Sequence, residues 1–271
     1  MNNLEKKMVD ALIDLRENHE VIGVKAEFEA EGTRLEEALR LKEVVSRAGL
    51  DLTIKIGGCE AIKDMYEARV IGVSRIVAPM IETAYALKKF ISATKLVFTE
   101  EEYDSVDFLV NIETITAYKN LDEIFAIEAL EYLDGIVLGR VDMTQSMGLT
   151  REDVNSPEIF DIAKNIFRKA KEKSLECAIG GGVSAETTKF IGRLPAGLVD
   201  RYETRKVIFK CPAALKKQPD NGILKAVGFE LMWLKNKRNF YGMIHMEDQY
   251  RIQYLEARYK KLIGEAGGVC V

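Results

Sequence analysis

Apolar positions along the chain alternate between two spacings. Leu4, Met8, Leu12 and Leu15 recur as on one helix face, and "VIGVKAEFE" (Val21–Glu29) follows as a strand-like run. "GTRLEEALRLKEVVSRAGL" predicts an amphipathic helix closed by Gly49, and "LTIKI" (Leu52–Ile56) a strand. A helix ending at Gly72, a strand over Ser74–Met80 and the helix "IETAYALKKFISAT" come next. The pattern then predicts strands at Val106–Ile112, Gly135–Leu138, "ECAIGGG" and Thr204–Phe209. Helices are expected at Lys119–Leu130, at Pro157–Lys173 with Ser156 as N-cap, and from Ser184. "KLVF" (Lys95–Phe98) is a candidate extra strand. Strand–helix alternation sustained over about 200 residues implies a parallel sheet, and seven or eight units predict a closed (β/α)8 TIM-type barrel.

The rhythm changes at "KCPAALKKQPDNG". Residues 1–212 read as the barrel domain and 213–271 as a helical extension rich in aromatics: Phe229, Trp233, Phe240, Tyr241, Tyr250, Tyr254 and Tyr259. That much apolar surface is expected to pack on the barrel or on a neighbouring subunit, so a homo-oligomer is anticipated. The length, 271 residues, suits one α/β barrel, and 47% hydrophobic residues supply a large core. The net charge of −4 is spread in both signs without a basic stripe, which excludes a nucleic-acid partner. The charged start "MNNLEKKMVDALIDL" lacks a signal-peptide pattern, and no apolar run is long enough to span a membrane. Cys59, Cys177, Cys211 and Cys270 form no CxxC and read as reduced thiols of a cytoplasmic protein.

In such a barrel the active site lies at the C-terminal ends of the strands. Glu113 ends one apolar strand, and Asp142 lies just past the end of the next. Adjacent strands run about 5 Å apart, so both carboxylates could share one cation. A hard ion such as Mg²⁺ (or Mn²⁺) uses one or two carboxylates and keeps positions for waters and substrate oxygens. The competing reading makes Glu113 a helix cap and Asp142 a turn residue.

"VNIETITAYKNLDEIFAI" followed by "LDGIVLGRVDMTQSMG" resembles the HpcH/HpaI aldolase and citrate lyase family, within the phosphoenolpyruvate/pyruvate barrel superfamily. The matching positions are Glu113-Thr114, Ala117, Asn120 to Ile124, Asp134-Gly135, Gly139, Asp142, Ser146 and Gly148. "IGVSRIVAPMIETAYAL" resembles an upstream family motif, and the likeness runs from Val21 to Val183. It implies that Glu113 and Asp142 hold a metal, which in turn holds a 2-oxo acid. The ion stabilises the enolate of pyruvate as a carbon–carbon bond breaks or forms. The family's substrate-holding arginine corresponds to Lys55, which keeps the charge but loses the planar fork. The family's histidine base is missing: the matching place is Glu31-Gly32, while His19 and His245 lie elsewhere.

Lys25, Glu27, Glu29 and Glu31 alternate on one strand face. If that face lines the barrel, Lys25 partly neutralises the acids, and Glu29 or Glu31 near the rim becomes a general base; an ordinary ion-pair network is the other reading. Arg140 beside Asp142 suggests an anionic group on the substrate, or else a surface salt bridge. The glycines of "GGGVSAETT" offer either backbone N–H groups to an anion or a tight turn. Arg201 and Arg205 read as structural, at the stability end of the last strand.

Together these features predict a divalent-metal-dependent carbon–carbon lyase of the aldolase type. Its substrates would be a pyruvate-like 2-oxo acid and an aldehyde or acyl partner. The alternatives are a phosphoenolpyruvate- or acyl-CoA-using enzyme of the same superfamily, or a barrel without catalysis that serves binding or assembly.

Overall fold

The computed structural model describes residues 1–267, so Cys270 lies outside the described residues. Asn3–His19 (α1) precedes the first strand, Val21–Glu27 (β1). The alternation continues with Leu35–Arg47 (α2), Asp51–Lys55 (β2), Ile62–Ile71 (α3), Arg75–Ala78 (β3) and Ala84–Val97 (α4). A short helix, Glu100–Tyr103 (α5), leads to Asp107–Ile112 (β4). Two further short helices, Ile115–Lys119 (α6) and Leu121–Phe125 (α7), precede Gly135–Gly139 (β5). Arg140–Ser146 (α8) and Pro157–Glu172 (α9) lead to Glu176–Gly180 (β6) and Ala185–Arg193 (α10). Arg201–Glu203 (β7) and Val207–Lys210 (β8) close the barrel, in the order β1 to β8.

The architecture is the expected TIM-type barrel, with one local reversal. β8 runs antiparallel to both β7 and β1. Only residues 204–206 join β7 to β8, too few for a parallel crossover, so a hairpin forms. Thr204 closes it: its N–H donates to the Val207 carbonyl (2.9 Å), and its hydroxyl accepts from Val207 N–H (3.0 Å). Two expectations change as a result. The strand additional to the seven expected is "RYE" (β7), not "KLVF", whose residues lie at the end of α4 and its cap. Arg205 sits on the hairpin at the mouth rather than at the stability end, where Arg201 remains. The single helix expected over Lys119–Leu130 is broken into short pieces.

Mid-barrel, Val77, Leu109, Val137 and Ala178 form a buried apolar cluster. Charged side chains flank that layer at both strand ends: Arg75, Glu176 and Arg201 at the starts, Lys55 and Glu203 at the finishes.

The chain divides into two compact units after Glu230. The long helix Pro219–Glu265 (α11) begins in the first unit and makes up most of the second. In the second unit Leu231, Leu234, Phe240, Met243, Tyr250 and Tyr254 are exposed. Among the described residues, no helix is long and apolar enough to cross a membrane.

Candidate active site

Glu113 follows β4 directly and is 1% exposed. It does not cap the next helix; Thr114 does, its hydroxyl accepting from Ala117 N–H (3.1 Å). The Glu113 carboxylate is held from two sides. Oε1 accepts from Met80 N–H (3.0 Å), and Oε2 from the Asn111 amide (2.8 Å). Met80 adopts φ +52°, an uncommon left-handed conformation for a non-glycine residue, just past β3. Burial raises the Glu113 pKa; Lys55 and the two hydrogen bonds oppose that, and the Asp142 charge adds to it. The two carboxylates therefore share one electrostatic neighbourhood.

Asp142 lies in the first turn of α8, so it is a helical residue rather than a turn residue. Other motif residues tie its helix to the Glu113 loop. Ser146 Oγ accepts from Ile115 N–H (2.8 Å), while Thr114 donates to Glu82 (2.7 Å) and the Asn120 amide to the Glu82 carbonyl (2.9 Å). Gly139 makes room for the site: a Cβ there would lie 2.5 Å from Glu113 Oε2 and 2.8 Å from Glu113 Cβ. Gly139→Ala is therefore expected to push Glu113 off its hydrogen bonds. A stability loss of about 1–3 kcal/mol and weakened Mn²⁺ binding by calorimetry are the measurements; unchanged affinity would refute this crowding.

Lys55, the last residue of β2, links two acids. Its Nζ lies 2.9 Å from Glu29 Oε2 and 3.7 Å from Glu113 Oε2. Burial works against the ammonium, but Glu113 and Glu29 outweigh it and raise its pKa. Lys25 is half-buried yet raised, between Glu203 (3.0 Å) and Glu27 (3.3 Å), so the expected neutralisation of the strand acids is present. Burial would raise Glu27, but Lys25, Lys55 and Arg205 together lower it; Arg205 reaches it at 3.0 Å.

β1 ends at Glu27, so Glu29 and Glu31 lie on the loop beyond rather than on a continued strand face. The structure separates them. Glu29 joins Lys55 beside Glu113, whereas Glu31 is ion-paired to the buried Lys206 of the β7–β8 hairpin. Burial lowers Lys206 despite that partner.

Arg140 requires a correction. It does not face the mouth: it is wholly buried, and its donors are taken by protein groups. Nε donates to the Gly180 carbonyl (3.1 Å), and Nη1 to the Val154 carbonyl (3.2 Å) and Asn155 Oδ1 (2.6 Å). Nη2 donates to the Gly181 carbonyl (2.6 Å) and Thr187 Oγ1 (3.1 Å). Five bonds saturate a guanidinium, leaving none for a substrate anion. Burial lowers its pKa to about 9. The glycine run serves close approach: Gly181 (φ +73°) packs so tightly that a Cβ would lie 2.7 Å from the Arg140 and Val141 backbone nitrogens.

Asn111 and Met80 escaped sequence reading, as did the mouth position of Arg205 and Lys206. Asn111 carried one usable signal, a polar residue two positions before Glu113 on the same strand face.

The residues fit a hard divalent ion. Each Glu113 oxygen accepts one hydrogen bond and retains a lone pair, and buried Asn111 Oδ1 has no hydrogen-bond donor. Among the described residues no cluster of three acidic, His or Cys ligands forms, so a closed structural-zinc type of cage is absent. Two carboxylates plus waters is the arrangement Mg²⁺ or Mn²⁺ accepts.

Comparison with known proteins adds the family. The model described as HpcH/HpaI aldolase/citrate lyase matches residues 34–186. The 2-keto-3-deoxy-L-rhamnonate aldolase of Escherichia coli (strain K12) is 26% identical over 123 residues, covering 37% of this chain and 45% of that protein. The match thus spans less than half the length of that relative. Among solved structures, an HpcH/HpaI aldolase from Desulfitobacterium hafniense DCB-2 aligns with a TM-score of 0.58 at 14% identity, covering 81% of this chain and 88% of that one. The citrate synthase SbnG aligns with a TM-score of 0.59 at 14% identity, covering 86% and 90%. These two likenesses establish the barrel fold.

Proposed function

Since the chain belongs to the HpcH/HpaI aldolase/citrate lyase family, we propose that it is a divalent-metal-dependent carbon–carbon lyase of the aldolase type, acting on a pyruvate-like 2-oxo acid and an aldehyde or acyl partner. One observation carries this reading. Glu113 is a nearly inaccessible carboxylate at a barrel strand end, raised by burial and by Asp142, in a frame of Met80 and Asn111 that fixes its orientation. Such a charge costs free energy unless a cation joins it. When bound, Mg²⁺ or Mn²⁺ supplies a Lewis acid for the negative charge that develops on the 2-oxo acid.

Glu113 and Asp142 would hold the ion. Lys55, beside Glu113 and steadied by Glu29, would hold the substrate's anionic end with a point charge rather than a fork. Glu29, side chain 30% exposed at the rim, would move the proton in place of the family's histidine. Glu31 would act only as an anchor for Lys206.

Removal of metal with EDTA should abolish release of pyruvate from 2-oxo acid aldols, and Mg²⁺ or Mn²⁺ should restore it. Full activity of the chelated protein would refute the metal-dependent reading. A substrate panel that includes phosphoenolpyruvate and acyl-CoA esters separates the neighbouring chemistries. The two glutamates have distinct expectations. Glu29→Gln should lower kcat about a hundredfold with little change in melting temperature. Glu31→Gln should leave kcat nearly intact but cost about 1–3 kcal/mol by leaving buried Lys206 without its charged partner. The reverse pattern would exchange their roles. For the extension from residue 213, whose exposed apolar side chains fit a subunit contact, light scattering on the full chain is expected to give a multiple of the 30.5 kDa monomer.

A further inference from the structure

The opposite end of the barrel, across the apolar layer of Val77, Leu109, Val137 and Ala178, has its own ring of charge. Asp51, Arg75, Asp107, Glu176 and Arg201 are the first residues of their strands, and the reversed β8 brings Lys210 beside Arg201. Arg75, Arg201, Lys210 and neighbouring acids line a pocket of about 410 Å³.

The acids of this ring are engaged. Asp107 lies 2.8 Å from Arg75 Nε, and Glu176 accepts from Arg201 Nη2 (2.5 Å). Asp200 accepts from Cys177 N–H (2.6 Å) and Lys171 (2.5 Å), and Asp51 from the Ser74 hydroxyl (3.1 Å). The guanidiniums are only partly satisfied, each by one close ion pair with an acid of the ring. Arg201 is 1% exposed, and its Nε makes no hydrogen bond. Arg75 Nη1 is buried without one, and its contact with Asp51 Oδ2 spans 4.0 Å. Both arginines line the same pocket, and burial, then the charge of Arg75, lower the Arg201 pKa. A simple ion-pair plug would satisfy both. Here the missing groups are acceptors, because a buried donor without a partner retains its full desolvation cost.

We propose that this end of the barrel is a second binding site, for a small oxyanion (a carboxylate or phosphate group) held between Arg75 and Arg201 with Lys210 at its rim. Guanidinium pairs suit these planar or tetrahedral oxyanions, through charge-assisted hydrogen bonds. The site does not depend on the lyase reading, since none of its residues reaches Glu113 or Asp142.

Calorimetric titration of the metal-free full chain with inorganic phosphate, and separately with malonate, tests it. One saturable site per chain is expected, unchanged in Glu113→Gln and at least tenfold weaker in Arg75→Gln; the stronger of the two anions identifies the ligand chemistry. If Arg75→Gln does not fold, Lys210→Glu carries the test, with binding expected at least threefold weaker. Absence of saturable binding, equal affinity in the folded arginine or lysine variant, or loss of binding in Glu113→Gln would each overturn the proposal.

Discussion

Glu113→Gln should lower kcat/KM for 2-oxo acid cleavage about a thousandfold, the scale of losing several kcal/mol of transition-state charge stabilisation. Glutamine has nearly the same shape, and its carbonyl oxygen can still accept the Met80 N–H that now reaches Oε1 at 3.0 Å. What it removes is the charge that would face the proposed ion, so Mn²⁺ binding should fall in parallel with activity. The sign of the pKa shift predicts that unfolding is not the cause. The folded pKa of Glu113 lies above its ordinary 4.5. Below 4.5 both folded and unfolded forms are protonated, and the folded state carries no penalty. As pH rises through that value to the folded pKa, the buried group must ionise and the penalty develops. Metal-free Glu113→Gln should therefore melt no lower than the parent at pH 7, with the difference vanishing towards pH 4. Mn²⁺ should raise the melting temperature of the parent only. A variant that retains activity within tenfold would remove Glu113 from the chemistry.

Arg140→Met should be the most destabilising of the substitutions considered, by about 3–5 kcal/mol. The side chain is wholly buried, and its loss removes the donor to three backbone carbonyls and Asn155 Oδ1, and one of the two donors to the Thr187 hydroxyl. At about 2–4 °C per kcal/mol for a domain of this size, the melting temperature should fall by roughly 10 °C or more. Arg140→Lys should recover less than half, because three rotatable donors cannot reproduce a planar five-donor fork. Steady-state kinetics well below the melting transition separate this role from substrate binding. KM for the 2-oxo acid should stay within about threefold, whereas loss of one charge-assisted substrate contact would raise it about tenfold or more.

The sequence by itself determined the barrel and the two acids, one at a strand end and one just past the next, because both follow from local patterning. Strands such as Asp107–Ile112 are buried on both faces and read as apolar runs, and their helices repeat at one-face spacing. A charge at the end of such a run, as at Glu113, stands out against that background. Only the tertiary structure decided which charges meet which. "RYE" is too short to register as a strand, so the hairpin that reverses β8 and carries Arg205 and Lys206 to the mouth had no periodicity to reveal it. Glu29 and Glu31 are equivalent in spacing, yet one meets Lys55 from β2 and the other Lys206 from the far end of the chain. Arg140 is adjacent in sequence to the site loop, but the turn into α8 sends it beneath Gly180 and Gly181. Periodicity records whether a residue faces in or out. The partner that a buried charge finds is set by strand order and loop reversal, which bring together residues as distant as Glu31 and Lys206.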